Sequence, residues 1–287
     1  MSEKRAPAAD GRARPVFARK AADWSGGLTP FVRGSIAWHG AMAAGLVIQP
    51  ALWSVWVGGV AANQLILTSA GLWPRSRLLG PNLRRLPARA IERGQVALTL
   101  DDGPDPAVTP QVLDILATSG ARATFFCPGH TLRQYPALAR QIVAGGHSIE
   151  NHSDSHPHHF AALGPAGLRR EITAAQTSIH DLTGEMPRFF RAPAGLRNPL
   201  LQPILAQHDL QLTSWTRRGF DTVWRDPARV SARLERGLAA GDILLLHDGN
   251  GSRDRAARPI VLTVLPRLLD RMAASGLRSV TLREAIP

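Results

Sequence analysis

The sequence predicts an α/β fold, a distorted (β/α) barrel of about seven parallel strands preceded by an apolar helical hairpin. Three observations carry this reading. Gly34 to Pro74 contains no Asp, Glu, Lys or Arg. From Gln95 onward, short apolar runs alternate with amphipathic stretches, the pattern of a parallel sheet with crossover helices. The roughly 190 residues left for that pattern are few for a complete eight-fold barrel, which typically takes ~250, so a reduced barrel fits better.

In chain order, residues 1–33 form a basic tail, expected to be disordered, with Lys4, Arg5, Arg12, Arg14, Arg19, Lys20 and Arg33 against Glu3, Asp10 and Asp23. Residues 34–74 hold two apolar stretches, Ile36–Ile48 and Ala51–Trp73, broken at Gln49-Pro50. A bilayer core takes ~20 apolar residues per helix, so this run predicts two short spans joined by a tight turn. Trp38, Trp53, Trp56 and Trp73 fall near ends or turns, as interfacial aromatics do. A buried helical hairpin packed on a soluble domain, or one long interfacial segment, is the alternative. The polar lead and the lack of a short apolar core with an A-x-A exit argue against a cleavable signal peptide. Residues 75–93 read as a basic linker, with six arginines against Glu92. Basic flanks on both sides favour a hairpin with both ends in the cytoplasm; a single span would carry the C-terminal part across instead. The expected location is a bacterial cytoplasmic membrane.

Residues 94–287 form the predicted catalytic domain. Its strand candidates are Val96–Leu100, Ala123–Cys127, Ser148–Ile149, Phe189–Phe190, Leu212–Trp215, Ile243–Leu246 and Ser279–Leu282. Helix candidates are Pro110–Thr118, Leu132–Ala144, Gly167–Leu182 and Pro259–Ala274. Thr109 and Asp226 precede prolines as N-caps do, and glycines such as Gly184 close several stretches.

Composition narrows the function classes. The single cysteine, Cys127, excludes an internal disulfide framework and a cysteine-based zinc cluster. The net charge of +12 suggests an anionic neighbour, but no nucleic-acid motif is present and the basic residues cluster beside the apolar run. A nucleic-acid partner is therefore not expected, and no protein partner is implied.

Polar residues stand at the C-terminal ends of the strand candidates, the edge where barrel enzymes build their sites. Asp101-Asp102-Gly103-Pro104 follows the first run. Adjacent carboxylates are costly to bury without a neutralising cation, although Asp-Gly-Pro is also common turn chemistry. His152 and His156, four apart, have spacing suited to one metal; Pro157 puts them on a loop or single turn, and a surface histidine cluster is the alternative. One Asp and two His leave a metal with an open position. His158 and His159 read as bystanders. Arg191, Asp221 and His247 follow later runs, each weak alone but in order at successive strand ends.

Together these motifs strongly resemble the polysaccharide deacetylase family (carbohydrate esterase family 4, the NodB-homology domain) over about residues 94–285. T-F-D-D-G-P is matched by Thr99-Leu100-Asp101-Asp102-Gly103-Pro104, H-S/T-x-x-H by His152 to His156, R-x-P-x-G by Arg191 to Gly195, and L-x-H by Leu245-Leu246-His247. The resemblance implies a distorted (β/α) barrel. It implies that Asp102, His152 and His156 hold a divalent metal, most often Zn2+, and that Asp101 is the general base. Arg191 would keep Asp101 ionised, and His247, supported by Asp221, would protonate the leaving amine. The Ala194 amide would help hold the oxyanion, with Pro193 and Leu245 at the substrate groove. Two departures stand out: Thr222 follows Asp221 where the family has Trp, with Trp224 a candidate replacement, and Ala194 stands where an aromatic is common.

The expected function is metal-dependent hydrolysis of an N-acetyl group on a carbohydrate, polysaccharide or lipid-linked sugar by a membrane-associated enzyme. The alternative is a catalytically silent glycan-binding or envelope-scaffold protein on the same fold. Against it, the first Asp, the metal ligands and the last His are all retained.

Overall fold

The computed structural model describes residues 27–287, so most of the expected basic tail lies outside the described residues. Helix α1 (Pro30–Ile48) is capped by Thr29, whose side chain accepts from the Val32 amide, and has Pro30 at its first position. It starts four residues before the charge-free run. A 3-10 turn at Pro50–Leu52 reverses the chain into α2 (Trp53–Leu72). Glycines let the two helices approach: a Cβ on Gly45 would meet the Trp56 ring at 2.8 Å, and one on Gly59 would meet the Met42 sulfur at 2.6 Å. Three polar links pin the register, from the Ser35 hydroxyl to Asn63, from the Asn63 amide to His39 and from the Trp38 indole to the Gly59 carbonyl. The outer faces expose Val47, Ile48, Val55, Leu65 and Ile66. Both helices are long and apolar enough, by length and composition, to cross a membrane.

The hairpin is fastened at its base. Val32, Ala70 and Leu79 bury one another. The Gly71 carbonyl accepts from the Arg197 amide, and the Arg197 guanidinium donates to the Ser76 carbonyl at 2.6 Å. No side chain fits at Gly71, because a Cβ would lie 2.3 Å from the Arg197 carbonyl oxygen. Residues 75–93, read from sequence as a linker, are packed against the barrel. Leu86 and Ala90, the latter in α3 (Ala88–Glu92), share a core cluster with Ala97, Phe126, Phe189 and Ile243.

The barrel sheet contains β1 (Gln95–Asp101), β2 (Thr124–Cys127), β3 (Ser148–Asn151), β4 (Phe189–Phe190), β5 (Gln211–Leu212), β6 (Arg217–Arg218), β7 (Ile243–His247) and β8 (Arg278–Val280). Their order is β5-β4-β3-β2-β1-β7-β6, every pairing being parallel. Strand β8 takes the N-terminal half of β1 and β2 takes the C-terminal half. Strands β5 and β6 are the two edges, so the sheet curls without closing. Residues 83–84 fill that seam: the Leu83 amide donates to the Leu212 carbonyl, its carbonyl accepts from the Ser214 amide, and the Thr216 hydroxyl donates to the Arg84 carbonyl.

Strand alternation sorts the side chains. Leu98, Leu100, Leu244 and Leu246 face the main apolar layer under the helices. Thr99 and Asp101 on β1 stand level with Leu245 and His247 on β7, on the opposite, inner face.

The helices are α4 (Thr109–Thr118), α5 (Gly129–Gln134), α6 (Pro136–Ala144), α7 (Pro165–Thr183), α8 (Leu201–Gln207), α9 (Pro227–Glu235), α10 (Ile260–Ala274) and α11 (Leu282–Ala285). The stretch Leu132–Ala144 is two helices rather than one, since Pro136 has no amide proton and turns Tyr135 out of helical geometry. Asp226 caps α9 as expected, accepting from the Ala228 amide. Thr109 does not cap α4: it is the first helical residue, and its hydroxyl serves the interior instead. Strand β6 escaped the sequence reading because Arg217-Arg218 carries no apolar signal.

Candidate active site

The C-terminal ends of β1, β3 and β7, with the loops after β4 and β6, converge on one interior cluster. Asp101 ends β1 and is buried, 3% exposed. Arg191 follows β4 and is 1% exposed. Its Nη1 donates to Asp101 Oδ1 at 2.5 Å and to Thr99 Oγ1 at 2.8 Å, while Nε and Nη2 donate to the carbonyls of Thr213 and Ser214. The guanidinium also lies over the Phe126 ring, 4.0 Å from its centroid. A buried charge is tolerated when its fork is filled in this way.

Asp102 turns the other way, towards histidine. Its Oδ1 lies 3.2 Å from His152 Nε2 and 3.2 Å from His156 Nε2. That oxygen is buried and has no hydrogen-bond partner among the described residues. The potential ligand atoms of Asp102, His152 and His156 all lie within 4.8 Å of one another. His152 Nδ1 donates to the Arg191 carbonyl at 2.8 Å, which fixes the tautomer with the Nε2 lone pair facing Asp102, the outer-shell arrangement of metal-binding histidines. Burial works to raise the Asp102 carboxyl, but the neighbouring His152, with His156 and His247 behind it, holds it well below the usual carboxylate range. Burial likewise presses His156 below its ordinary value, favouring the neutral ligand form.

The loop carrying the histidines is braced by side chains that no motif announced. Asn151 Oδ1 accepts from the Ser153 amide, and Glu171 on α7 accepts from the amides of Asp154 and Ser155. His158 and His159 are exposed and stand outside the cluster, as the sequence reading had them.

His247 ends β7. Its Nδ1 lies 2.9 Å from Asp221 Oδ1, and its amide donates to Asp221 Oδ2 at 2.7 Å. Burial alone would lower the imidazole. The Asp221 charge and hydrogen bond outweigh it, with Asp101 and Asp102 adding to the effect, and His247 is pushed up to about 9. These carboxylates favour the imidazolium form. Beside it, Asp248 is buried, accepts from Thr109 Oγ1 at 2.6 Å, and is raised by burial to about 7. The only signal for it was its place after His247.

Pro193 is buried and opens a 3-10 turn, Pro193–Gly195, that carries the exposed Ala194 at φ 55°. Leu245 is 1% exposed, two register pairs below His247 on the same face. Asp102, Ser153, His156 and Ala194 all have positive φ, a conformation that costs a non-glycine residue ~1–3 kcal/mol and gathers at functional sites. Trp224 stacks on Phe220 and Arg229, and Trp73, Trp215 and Phe220 line the same cavity as Ala194.

Residues 89–213 match the family model described as polysaccharide deacetylase. The chain is 31% identical over 193 residues to a peptidoglycan-N-acetylglucosamine deacetylase of Bacillus cereus, covering 67% of this chain and 87% of that protein. It is 33% identical over 203 residues to a chitooligosaccharide deacetylase of Sinorhizobium fredii, covering 68% and 93%. Among solved structures it is similar to a family 4 carbohydrate esterase from Streptomyces lividans in complex with acetate, with a TM-score of 0.59, 33% identity, and 65% and 91% of the two chains covered.

Proposed function

Because the chain belongs to the polysaccharide deacetylase family and is a carbohydrate N-deacetylase, we propose that it is a metal-dependent, membrane-anchored enzyme that frees acetate and an amine from a lipid-linked N-acetyl sugar. The observation that carries the chemistry is the orphaned, buried Asp102 Oδ1 facing two imidazole Nε2 atoms, flanked by the Arg191–Asp101 and Asp221–His247 pairs.

Asp102, His152 and His156 would hold a divalent cation, and their mixed oxygen and nitrogen donors suit Zn2+. Such a cation, when bound, polarises the amide carbonyl and lowers the pKa of a water towards ~7. Asp101, held in place by Arg191, takes the proton of the attacking water. The Ala194 amide donates to the oxyanion as the water oxygen bonds to the carbonyl carbon. His247 then delivers its proton to the sugar nitrogen as the carbon–nitrogen bond breaks. Pro193 and Leu245 shape the floor under the acyl group.

The anchor is the α1–α2 hairpin, 19 and 20 residues long, or ~28–30 Å at 1.5 Å per residue. Its apolar outer faces suit lipid, and both of its ends meet the barrel. The layout is thus a basic tail, the hairpin, a strap over the seam and the catalytic barrel, in the cytoplasmic membrane of a bacterium with the barrel on the cytoplasmic side. An N-acetyl sugar carried on lipid at that leaflet is the substrate in reach.

The test is acetate release by the full chain in detergent with zinc, compared with Asp101→Asn, on N-acetylglucosamine oligomers and on a lipid-linked N-acetylglucosamine. Release that the variant lacks is expected, and release by both proteins would remove Asp101 as the base. A reporter active only outside the cytoplasm, fused after Pro287, should stay silent; a strong signal would overturn the hairpin topology.

A further inference from the structure

We propose that a cavity of about 620 Å³ between the hairpin base and the active-site rim receives the phosphate of an N-acetyl sugar phosphoester. This rests on the deacetylase reading and deepens it. The cavity lies where the barrel fails to close. Ala194 borders it on one side and Trp73, at the end of α2, on the other. One chamber therefore touches both the oxyanion turn and the point where the chain leaves the apolar helices.

Its charge is one-sided. Arg75, Arg217, Arg218, Arg233 and Arg236 line it, with no Asp or Glu. Arg217 is consumed by Asp242 and by the carbonyls of Arg236 and Gly237. The remaining four make no ion pair with a carboxylate among the described residues. Arg218 is the most telling, since its Nε is buried without a hydrogen-bond partner. Its guanidinium rests on the Trp215 and Phe220 rings, 5.4 and 5.1 Å from their centroids, and Arg233 lies 4.8 Å from the Phe220 centroid. Two cations are thus oriented by aromatic faces rather than neutralised.

Guanidinium groups of one sign around a partly enclosed cavity raise its positive potential, which an anion offsets. Their planar forks match phosphate oxygens better than any group on a neutral glycan does. A substrate with its sugar under Ala194 and its lipid beside Trp73 would carry its phosphate between them, within reach of these arginines.

The experiment measures kcat/KM of the full chain in detergent micelles with zinc, on three N-acetylglucosamine derivatives. They are a lipid phosphodiester, the water-soluble 1-phosphate, and a neutral glycoside with the same lipid chain. The lipid phosphodiester should exceed the neutral glycoside at least tenfold. That ratio should collapse, mainly through KM, in Arg218→Gln and in the exposed double variant Arg75→Gln with Arg236→Gln. Equal rates on phosphorylated and neutral substrates, or a ratio that both variants keep, would overturn the phosphate site while leaving the deacetylase reading intact. A soluble 1-phosphate that matches the lipid phosphodiester would keep the phosphate site and remove the lipid. If no derivative releases acetate, the deacetylase reading falls. Calorimetric binding of the 1-phosphate then decides the site: affinity lost in the variants supports it, and no affinity in the parent overturns it.

Discussion

Asp221→Asn isolates the electrostatics of the proposed acid. In the structure Asp221 makes two contacts to one residue, accepting from the His247 ring and from its amide. Raising a histidine from 6.5 to about 9 corresponds to roughly 3 kcal/mol of preference for the imidazolium, at 1.36 kcal/mol per tenfold. Asparagine removes the charge, and its amide nitrogen cannot accept, so either the ring or the backbone proton loses its partner. If His247 falls back to its ordinary value, the imidazolium fraction at pH 8 drops from ~0.9 to ~0.03, a loss of about 30-fold in turnover, whereas at pH 6 the loss is under about twofold. The assay is a pH profile of acetate release for both proteins at saturating zinc. The alkaline limb should move from near 9 towards 6.5, with near-parental activity at pH 6. A variant with the parental limb would refute the assignment of His247 as the titrating acid. Stability carries a second readout. The raised His247 contributes stability that is fully present below about 6.5 and is lost as pH rises through about 9. The zinc-free parent should therefore lose thermal stability over that window, and Asp221→Asn should not.

Three further outcomes are expected. Asp101→Asn should lose turnover while binding one zinc per chain, whereas His152→Ala should lose zinc and turnover together, as read by equilibrium dialysis beside the activity assay. Gly249→Ala should weaken zinc binding without altering a ligand, because its Cβ would lie 2.3 Å from the Asp102 carbonyl oxygen and the turn that aims Asp102 must shift; unchanged affinity would show that the turn is not what sets the site. Leu86→Ala should cost about 2–5 kcal/mol, since Leu86 is 3% exposed in a cluster shared with Phe126 and Phe189; a loss below about 0.5 kcal/mol by denaturant titration would mean that residues 75–93 lie loosely on the barrel.

The barrel was legible because its strands are apolar runs ending in ionisable groups, and the site because those endings form ordered motifs. Legibility ended where the signal was not local. Arg217-Arg218 forms a strand only because Leu244 and Leu245 on β7 pair with it. The strap at 75–93 reads as a charged linker because its arginines outnumber the few apolar residues, Leu79, Leu83, Leu86 and Ala90, that do the packing. The cavity beside Ala194 draws on α2, β6 and α9 as well as the Pro193 turn, so no stretch of sequence could announce it.

The two adjacent aspartates show how one turn divides two roles. Consecutive residues on a strand point to opposite faces, so a straight β1 would send Asp102 towards the helices when Asp101 faces the interior. Instead β1 stops at Asp101 and Asp102 takes φ 72°, which brings both carboxylates near His152 Nε2, at 3.9 and 3.2 Å. The left-handed conformation costs ~1–2 kcal/mol, and the close packing of the two loops holds it. Gly103 and Gly249 leave no room for a side chain there, since a Cβ on Gly103 would lie 2.1 Å from Asp248 Oδ2. Within that turn the neighbours decide the chemistry. Arg191 fills Asp101 Oδ1 and fits that carboxylate for proton transfer, whereas Asp102 Oδ1 is left open towards two imidazoles and suits only a cation. Without the turn the chain would keep the same two residues but lose the pairing of base and metal ligand on which the proposed hydrolysis rests.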